Sequence, residues 1–413
     1  MIRRSDEQFA YHCPGEHAPI SRSVHLGRLA AFYPACRRCP HRHETGSITP
    51  RRDKRLAEAS RRAQVAPWFT AEGVDGVYRN DIDAKAANRL AGAAGVCLRR
   101  LGARRTGPPR VVVSADARPL VVELLAAVAD GLRWAGCEVV EIEPASAPCL
   151  ARAIQGLSAQ GGIFVGNPTG LVHRVGLKFW AEHARPLSEG DGLDEVRRMF
   201  ERGVSRPVRK YGPSRRFPAE ALYLAELATY YHALRPLRFV VSTTCPPIAR
   251  YVRRLAGEVA CEVRRCRVRP DQLGEQVKVD CAHFGVALRD DGEICRFWDE
   301  RGKPIPPERV FDVVAAHLGL ATDPFARARS DSTHGLAARK PTLGSEGTRA
   351  ATYRSMRDRD APVGAGPGGR IWYRSPDGHV APDGLRTLTW VLQILSRSDR
   401  PLSEVLDGAA AAG

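Results

Sequence analysis

Long apolar runs are missing from this sequence of 413 residues. No run approaches the ~18 apolar residues that a membrane-spanning helix needs, and the opening Met-Ile-Arg-Arg-Ser-Asp-Glu has no apolar signal core. Aromatic residues are also scarce, at 7%, and no aromatic-basic motif of an RNA-binding module is present. These absences predict a cytoplasmic protein without a membrane partner, and they disfavour nucleic acid as a partner.

Positive charge is abundant instead, with a formal net charge of +17 that arginine dominates. Such a charge could attract nucleic acid, anionic lipid or phosphorylated sugars. The arginines are spread along the whole chain, however. This distribution favours a generally arginine-rich composition over a surface built for one of these partners. The length is sufficient for about two to four domains with their own cores.

The first fifty residues concentrate cysteine and histidine. Cys36 and Cys39 are spaced so that two thiolates converge on one tetrahedral point, with Cys13 as a third ligand and His41 as the fourth. The alternatives for the fourth ligand are His12, His25 and His43. A segment this poor in apolar residues has a reason to fold around metal, so we predict a zinc site, with unligated thiols as the alternative. Residues 51–65 are highly charged and predict a solvated linking helix.

From residue 66 onwards, strands and helices alternate. Residues 84–101 are good helix formers, Val111 to Val113 read as a buried parallel strand, and the helix that follows ends at Gly136 before a second strand. This is a βαβ unit of an α/β fold. Residues 189–217 are polar and predict a linker between domains.

Residues 161–180 contain a loop between two ordered pieces. Ile163 to Val165 predict a short buried strand, which breaks at Gly166, Pro168 and Gly170 before the chain resumes at Gly176. Ligands usually bind in such loops at the carboxyl end of a strand.

This stretch resembles the phosphoserine loop of the α-D-phosphohexomutases, the phosphomannomutase and phosphoglucomutase superfamily, which reads Gly-Gly-Ile-Met-Val-Thr-Ala-Ser-His-Asn-Pro and later Asn-Gly-Ile-Lys-Phe. The matching positions are Gly161, Gly162, Ile163, Val165, Gly176, Lys178 and Phe179. The position of the phosphorylated Ser is Pro168, which has no hydroxyl, so the family's phosphoryl relay cannot run there. Thr169 is the neighbouring alternative nucleophile.

Other family motifs fall on further residues. Asp116 and Arg118 match the family's Asp-Thr-Arg-Pro, which implies that they brace the serine loop. Arg79 follows the position of a phosphate-holding Arg by one residue. The resemblance implies phosphosugar contacts from Arg79, Lys178 and Arg370.

The family's magnesium loop, Asp-Gly-Asp-Gly-Asp, is altered. Its three ligand positions are Arg289, Asp291 and Glu293 here, so a guanidinium replaces one carboxylate. Repulsion between Arg289 and a divalent ion makes Mg²⁺ unlikely. We expect Arg289 to pair with Asp291 or Glu293, or the loop to be an ordinary turn.

The resemblance predicts three tandem α/β/α phosphohexomutase-like domains behind a small Cys/His-rich extension. The predicted ranges are 1–50 for the arm, 51–65 for the linker, 66–205 for domain I, 218–320 for a shortened domain II and 321–413 for a degenerate domain III. The sugar loop, Gly364 to Ile371, has glycine where the family has its Glu and Ser. The family's fourth domain, with its phosphate-binding loop, is absent from the sequence.

The main hypothesis is a catalytically inactive relative of these sugar-phosphate isomerases of carbohydrate metabolism, which binds a phosphosugar or a protein partner. One alternative is an active mutase with a rearranged site that uses Thr169. The other is a zinc-bearing interaction module or a nucleic-acid-associated module in which the N-terminal arm carries the function.

Overall fold

The computed structural model describes residues 11–13, 18–31, 33, 35–36, 39–46, 48–55, 68–101, 107–171, 173–266, 270–318 and 347–411. The chain divides into two compact units, Met1–Trp68 and Phe69–Gly413. Residues 50–55 of the predicted linker are helical, and residues 56–65 lie outside the described residues. Most of the start of the predicted third domain, 321–346, lies outside them too.

The N-terminal unit contains helix α1, Arg22–Ala30, which begins after Ser21 because that hydroxyl accepts a hydrogen bond from the Val24 amide. Tyr11 stacks on the buried His25 ring at 4.2 Å. Both rings are tied to Glu44, since the Tyr11 hydroxyl donates to its carboxylate at 2.9 Å and His25 Nε2 lies 3.2 Å from its carbonyl oxygen. A small polar and aromatic cluster therefore organises the described part of this unit.

The second unit begins with a seven-stranded sheet in the order β1-β2-β6-β5-β3-β4-β7. Its strands are β1 Phe69–Thr70, β2 Gly73–Val77, β3 Arg110–Ala115, β4 Glu138–Ile142, β5 Gly161–Gly166, β6 Arg174–Ala181 and β7 Ser214–Phe217. Its helices are α2 Ala84–Leu101, α3 Pro119–Trp134, α4 Ala147–Gly156 and α5 Leu193–Arg202. The helix over 84–101 is confirmed as α2. The βαβ unit is also confirmed, because β3 and β4 pair in parallel and α3 connects them.

The linker that the sequence predicts over 189–217 is wrong. This segment contains α5, which buries Val196 and Met199, and the edge strand β7, which pairs in parallel with β4. The segment reads as polar because β7 lies at the exposed edge of the sheet and three of its four residues face solvent. A strand in that position needs backbone partners more than apolar side chains.

Two smaller sheets follow, in the orders β12-β11-β10-β8-β9 and β13-β14-β15. Their strands are β8 Arg238–Thr243, β9 Glu262–Cys266, β10 Phe284–Arg289, β11 Ile294–Trp298, β12 Pro304–Ile305, β13 Val363–Gly366, β14 Arg370–Arg374 and β15 Val380–Pro382. The helices are α6 Ala219–Ala228, α7 Pro246–Ala256, α8 Leu273–Val279, α9 Pro307–His317, α10 Arg349–Asp358, α11 Gly384–Leu395 and α12 Leu402–Ala411.

One continuous apolar core extends across the three sheets, from Val112 in β3 to Leu406 in α12. The predicted fold class, successive α/β modules, is therefore correct. In the described part of the chain, no helix combines the length and apolarity needed to cross a membrane.

Candidate functional site

The predicted strand, loop and strand are present as β5, a loop whose described residues are 167–171 and 173, and β6. The loop leaves the carboxyl end of β5, which is buried along its whole length. The Pro168 ring packs onto β6, because a Cβ added at Gly176 would lie 3.0 Å from its Cδ and Cγ. The Thr169 hydroxyl is used within the loop, where it donates to Asn167 Oδ1 at 3.3 Å.

Asp116 and Arg118 hold the base of this loop. Arg118 Nε donates to Asp116 Oδ2 at 2.8 Å, and its Nη1 donates to the Arg174 carbonyl oxygen at 2.8 Å, where β6 begins. The Asp116 amide donates to the carbonyl oxygen of Val165 at the end of β5. Burial raises the pKa of Asp116, and the Arg118 guanidinium opposes that effect. These contacts place Asp116 and Arg118 at the base of the loop, where the resemblance implies a bracing role.

The loop is also attached to the second sheet. The Asn167 amide donates to Asp291 Oδ1 at 2.8 Å, in the turn that follows β10. Gly166 permits this approach, because a Cβ there would lie 2.5 Å from the Asp291 carboxyl carbon. Burial raises the pKa of Asp291 to about 7, with the Lys178 charge opposing. The Asp291 carboxyl group therefore keeps its proton at pH values well above the usual pKa of aspartic acid.

Next to this contact lies a buried set of ion pairs, here called the charge cluster. Lys178 Nζ lies 2.6 Å from Asp290 Oδ1 and 2.9 Å from Glu293 Oε2. Arg370 binds the same two carboxylates, with its Nε 3.1 Å from Glu293 Oε2 and its Nη2 on Asp290. Four side chains, from two strands and one turn, thus meet at one point.

Arg349 completes the charge cluster at the start of α10. Its Nη2 lies 2.6 Å from Glu293 Oε1, and its Nε lies 3.5 Å from Glu72 Oε2. The Arg349 side chain is 0% exposed and packs over the Trp180 ring at 4.8 Å. The cluster therefore contains the cations Lys178, Arg349 and Arg370 and the anions Glu72, Asp290 and Glu293.

Within this cluster, Asp290 and Lys178 each favour the ionised form of the other. Burial would raise the pKa of Asp290, but Lys178 and Arg370 hold it well below its ordinary value. Burial would lower the pKa of Lys178, and the surrounding carboxylates raise it instead. Burial raises the pKa of Glu72, which is at the edge of the cluster. Removal of any one member would leave a buried charge without compensation, which is costly.

The structure places some predicted residues elsewhere. Arg289 has no carboxylate partner within the described residues, and its Nη2 points instead towards Gly170 of the loop. The predicted pairing with Asp291 or Glu293 is therefore wrong, because Lys178, Arg349 and Arg370 bind Glu293 and Asp291 accepts from the Asn167 amide. Arg79 lies on an exposed turn beside Glu123, at 3.6 Å, with 72% of its side chain exposed.

Sequence reasoning missed Glu72, Asp290 and Arg349. The family's ligands alternate along the chain, which directed attention to residues 289, 291 and 293. Here Asp290 and Asp291 both have positive φ, of 50° and 57°, in a tight turn, so Asp290 turns into the cluster. No pattern around Arg349 marked it in advance.

The donor set does not fit a divalent cation at the turn after β10. Glu293 is bound by three cations, Asp291 accepts from an amide, and Arg289 contributes positive charge. Across the described ranges, no group of three or more His, Cys, Asp or Glu side chains is arranged to hold a metal ion.

In the N-terminal unit, the predicted zinc ligand His41 already contacts another side chain. Cys13, Cys36 and Cys39 are buried, and the charges of the other two thiols add to burial in raising the pKa of Cys36. His41 Nδ1 lies 2.7 Å from Glu44 Oε1. Its ring therefore has only Nε2 left for another partner, and zinc binding stays a prediction.

Comparison with known proteins supports the resemblance to the phosphohexomutases. Residues 67–205 match the profile described as "Phosphoglucomutase/phosphomannomutase, alpha/beta/alpha domain I". The phosphoglucosamine mutase of Parvibaculum lavamentivorans is 25% identical over 370 residues, which cover 82% of this chain and 81% of that protein. The chain is therefore similar to the α-D-phosphohexomutase superfamily over most of its length. The phosphoglucosamine mutase of Gluconacetobacter diazotrophicus is 26% identical over 372 residues, covering 82% of this chain and 80% of that one.

Solved phosphohexomutase structures share the fold. A phosphoglucomutase/phosphomannomutase family protein of Burkholderia thailandensis superposes with a TM-score of 0.67 at 22% identity, covering 83% of this chain and 79% of the other. The phosphoglucomutase parafusin of Paramecium, in an open form, gives 0.58 at 14% identity, covering 82% and 73%. These likenesses extend beyond the first sheet to most of the chain.

Proposed function

We propose that this phosphohexomutase has no mutase turnover and that its charge cluster replaces the metal and phosphate site with internal ion pairs. In this role the protein acts in the cytoplasm as a binding protein derived from an enzyme of carbohydrate metabolism.

The observation that carries the proposal is the complete pairing of Lys178, Arg370 and Glu293 within the cluster. Phosphoryl transfer depends almost wholly on positioning and on charges aimed at the moving phosphoryl group. Cations already neutralised by buried carboxylates cannot serve that purpose without breaking several ion pairs. Pro168 also offers no oxygen for phosphorylation.

Turnover assays with glucosamine 6-phosphate, glucose 1-phosphate and mannose 1-phosphate, each with Mg²⁺ and the matching bisphosphate, test the proposal. We expect rates equal to those without protein, for the wild type and also for Pro168→Ser, because restoring the hydroxyl leaves the cluster filled. Measurable turnover by the wild type would refute inactivity. Turnover by Pro168→Ser alone would show that the cluster is not the obstacle.

The second candidate is an active mutase that uses Thr169, whose hydroxyl lies in the same loop. Intact-mass analysis after incubation with glucose 1,6-bisphosphate distinguishes the two candidates. A stable added phosphate that maps to Thr169 would favour the active mutase, whereas an unchanged mass agrees with the proposal.

The predicted phosphosugar contacts also remain to be tested. Lys178 and Arg370 are engaged in the cluster, which argues against a phosphosugar at that point, and Arg79 lies at the surface. Of the two kinds of ligand in the main hypothesis, a phosphosugar or a protein, the protein partner is therefore the one we favour. For the zinc-bearing module, metal analysis of the purified full chain is the direct test.

A further inference from the structure

A second basic feature lies on the first sheet, away from the loop at Pro168. It is a cleft of about 600 Å³ between the last turns of α2 and α5 and residues 203–207. Arg99 Nη1 donates to the Gly136 carbonyl oxygen, immediately before β4 begins. The cleft therefore lies beside the amino ends of the parallel strands, whereas the Pro168 loop leaves a carboxyl end.

The cleft is lined by more positive charge than the fold neutralises. The five guanidinium groups around it belong to Arg99, Arg100, Arg198, Arg202 and Arg206. The lining contains one carboxylate, Glu195, which pairs with Arg100 at 3.3 Å and with Arg198. Among the described residues, Arg99, Arg202 and Arg206 have no carboxylate partner, so the lining carries a net charge of +4, five cations less one anion.

Helix ends account for part of this charge only. The partial negative charge at a helix C-terminus favours cations in its last turn, which explains Arg99, Arg100 and Arg202. Arg206 lies beyond α5, where its guanidinium stacks on Tyr211 at 4.4 Å and is held in place. Several like charges fixed around one concave surface repel each other unless an anion lies between them.

The floor of the cleft is apolar. Val96 and Met199 are buried there, at 7% and 6% exposure, and Val204 and Pro207 complete the lining. The volume is within the range of about 300–1,000 Å³ that small-molecule sites occupy. Guanidinium groups bind phosphate oxygens through paired hydrogen bonds and remain charged at all relevant pH values.

We propose that this cleft binds a small ligand with several linked phosphates, whose oxygens lie between the arginines of α2, α5 and residue 206. The ligand is either a nucleoside triphosphate, with its base on the apolar floor, or an inorganic polyphosphate that leaves the floor empty. This site is independent of the proposed loss of mutase activity, because none of its residues belongs to the charge cluster.

Calorimetric titration of the full chain with ATP, inorganic tripolyphosphate and orthophosphate tests the site. We expect ATP or tripolyphosphate to bind at least tenfold more tightly than orthophosphate. Tighter binding of ATP than of tripolyphosphate identifies a nucleotide site, and equal binding identifies a polyphosphate site. Equal, weak binding of all three probes would refute the proposal, as would binding of a single-stranded oligonucleotide with no binding of ATP or tripolyphosphate.

A matched pair of double variants locates the site. Arg202→Gln with Arg206→Gln removes two exposed cations of the cleft, and we expect at least a tenfold loss of affinity. Arg253→Gln with Arg254→Gln, on the exposed surface of α7, changes the net charge equally and should alter the affinity less than twofold. Equal losses in both double variants would mean that only the overall charge attracts the probes.

Discussion

The Asp291 carboxyl group is buried between the loop after β5 and the turn after β10. One of its oxygens accepts from the Asn167 amide, and the other is buried without a hydrogen-bond partner in the described part of the chain. A protonated carboxyl suits this environment better than a carboxylate, which is consistent with the pKa of about 7. The nearby charges are Lys178, which favours the ionised form, and Asp290 and Asp116, which oppose it.

This environment makes stability depend on pH. The folded protein holds the Asp291 proton up to a pKa of about 7, whereas the ordinary value is 3.8. The stabilisation from the proton is complete below the unfolded value and is lost as pH rises through 7. Asp291→Asn keeps the acceptor for Asn167 and cannot ionise. We expect its stability relative to the wild type to increase by on the order of 2 kcal/mol between pH 5 and pH 8.

Urea unfolding at several pH values measures this difference. Asp358→Asn, which removes an exposed carboxylate of α10, is the control and should leave the pH profile of the wild type unchanged. Parallel profiles for Asp291→Asn and the wild type would contradict the assignment.

At the scale of secondary-structure elements, helices α2 and α3 pack closely, because small residues let their backbones approach each other. A Cβ added at Gly131 of α3 would overlap the carbonyl oxygen of Asn88 in α2. A Cβ added at Gly95 of α2 would likewise lie only 2.7 Å from the Cβ of Ala135, just after α3. Since this pair of helices covers one face of the first sheet, their spacing helps to hold β3 and β4 and the loops that follow them.

We expect Gly131→Ala to destabilise the protein by about 1–3 kcal/mol, as overpacking in a close interface usually does. Gly92→Ala in α2 is the matched control, because its added Cβ would lie 3.4 Å from the Trp134 ring, an ordinary contact. That control should be neutral or more stable by up to about 1 kcal/mol, since alanine favours helix. Thermal unfolding measures both variants, and equal midpoints would show that the helix spacing is not limiting.

At the scale of the whole molecule, the charge cluster connects parts that the chain order keeps apart. Lys178 belongs to the first sheet, Asp290 and Glu293 to a turn of the second, and Arg370 to the third. Glu293 contacts all three cations and is 1% exposed. Its carboxylate is therefore the shared anion through which the three sheets are joined.

We expect Glu293→Gln to cost about 3–5 kcal/mol, because it leaves buried cations without enough negative charge. Hydrogen exchange should increase together in β6, β14 and α10, which supply those cations. The control Glu123→Gln removes the partner of exposed Arg79 and should have little effect on stability. Faster exchange confined to the turn after β10 would contradict the coupling between sheets.

The sequence by itself determined the local framework. Valine runs predicted β3, helical spacing predicted α3, and the glycine-bounded stretch at 161–180 predicted the strand, loop and strand that resemble those of the superfamily. These succeed because strand and helix patterns depend on neighbours within a few residues. Edge strand β7 was missed because its partner is distant in the chain. Ser214 of β7 pairs with Val139 of β4, which lies 75 residues earlier.

Only the tertiary structure decided which charges meet. Lys178 and Asp290 are 112 residues apart in the chain, and Arg349 and Glu72 are 277 apart. From the sequence alone, Lys178, Glu293 and Arg370 are separate ligand positions, and the internal pairing is expected of Arg289. An ion pair has no sequence period, because its partners are selected by distance and burial in the folded chain, and these arise only when the three sheets pack together.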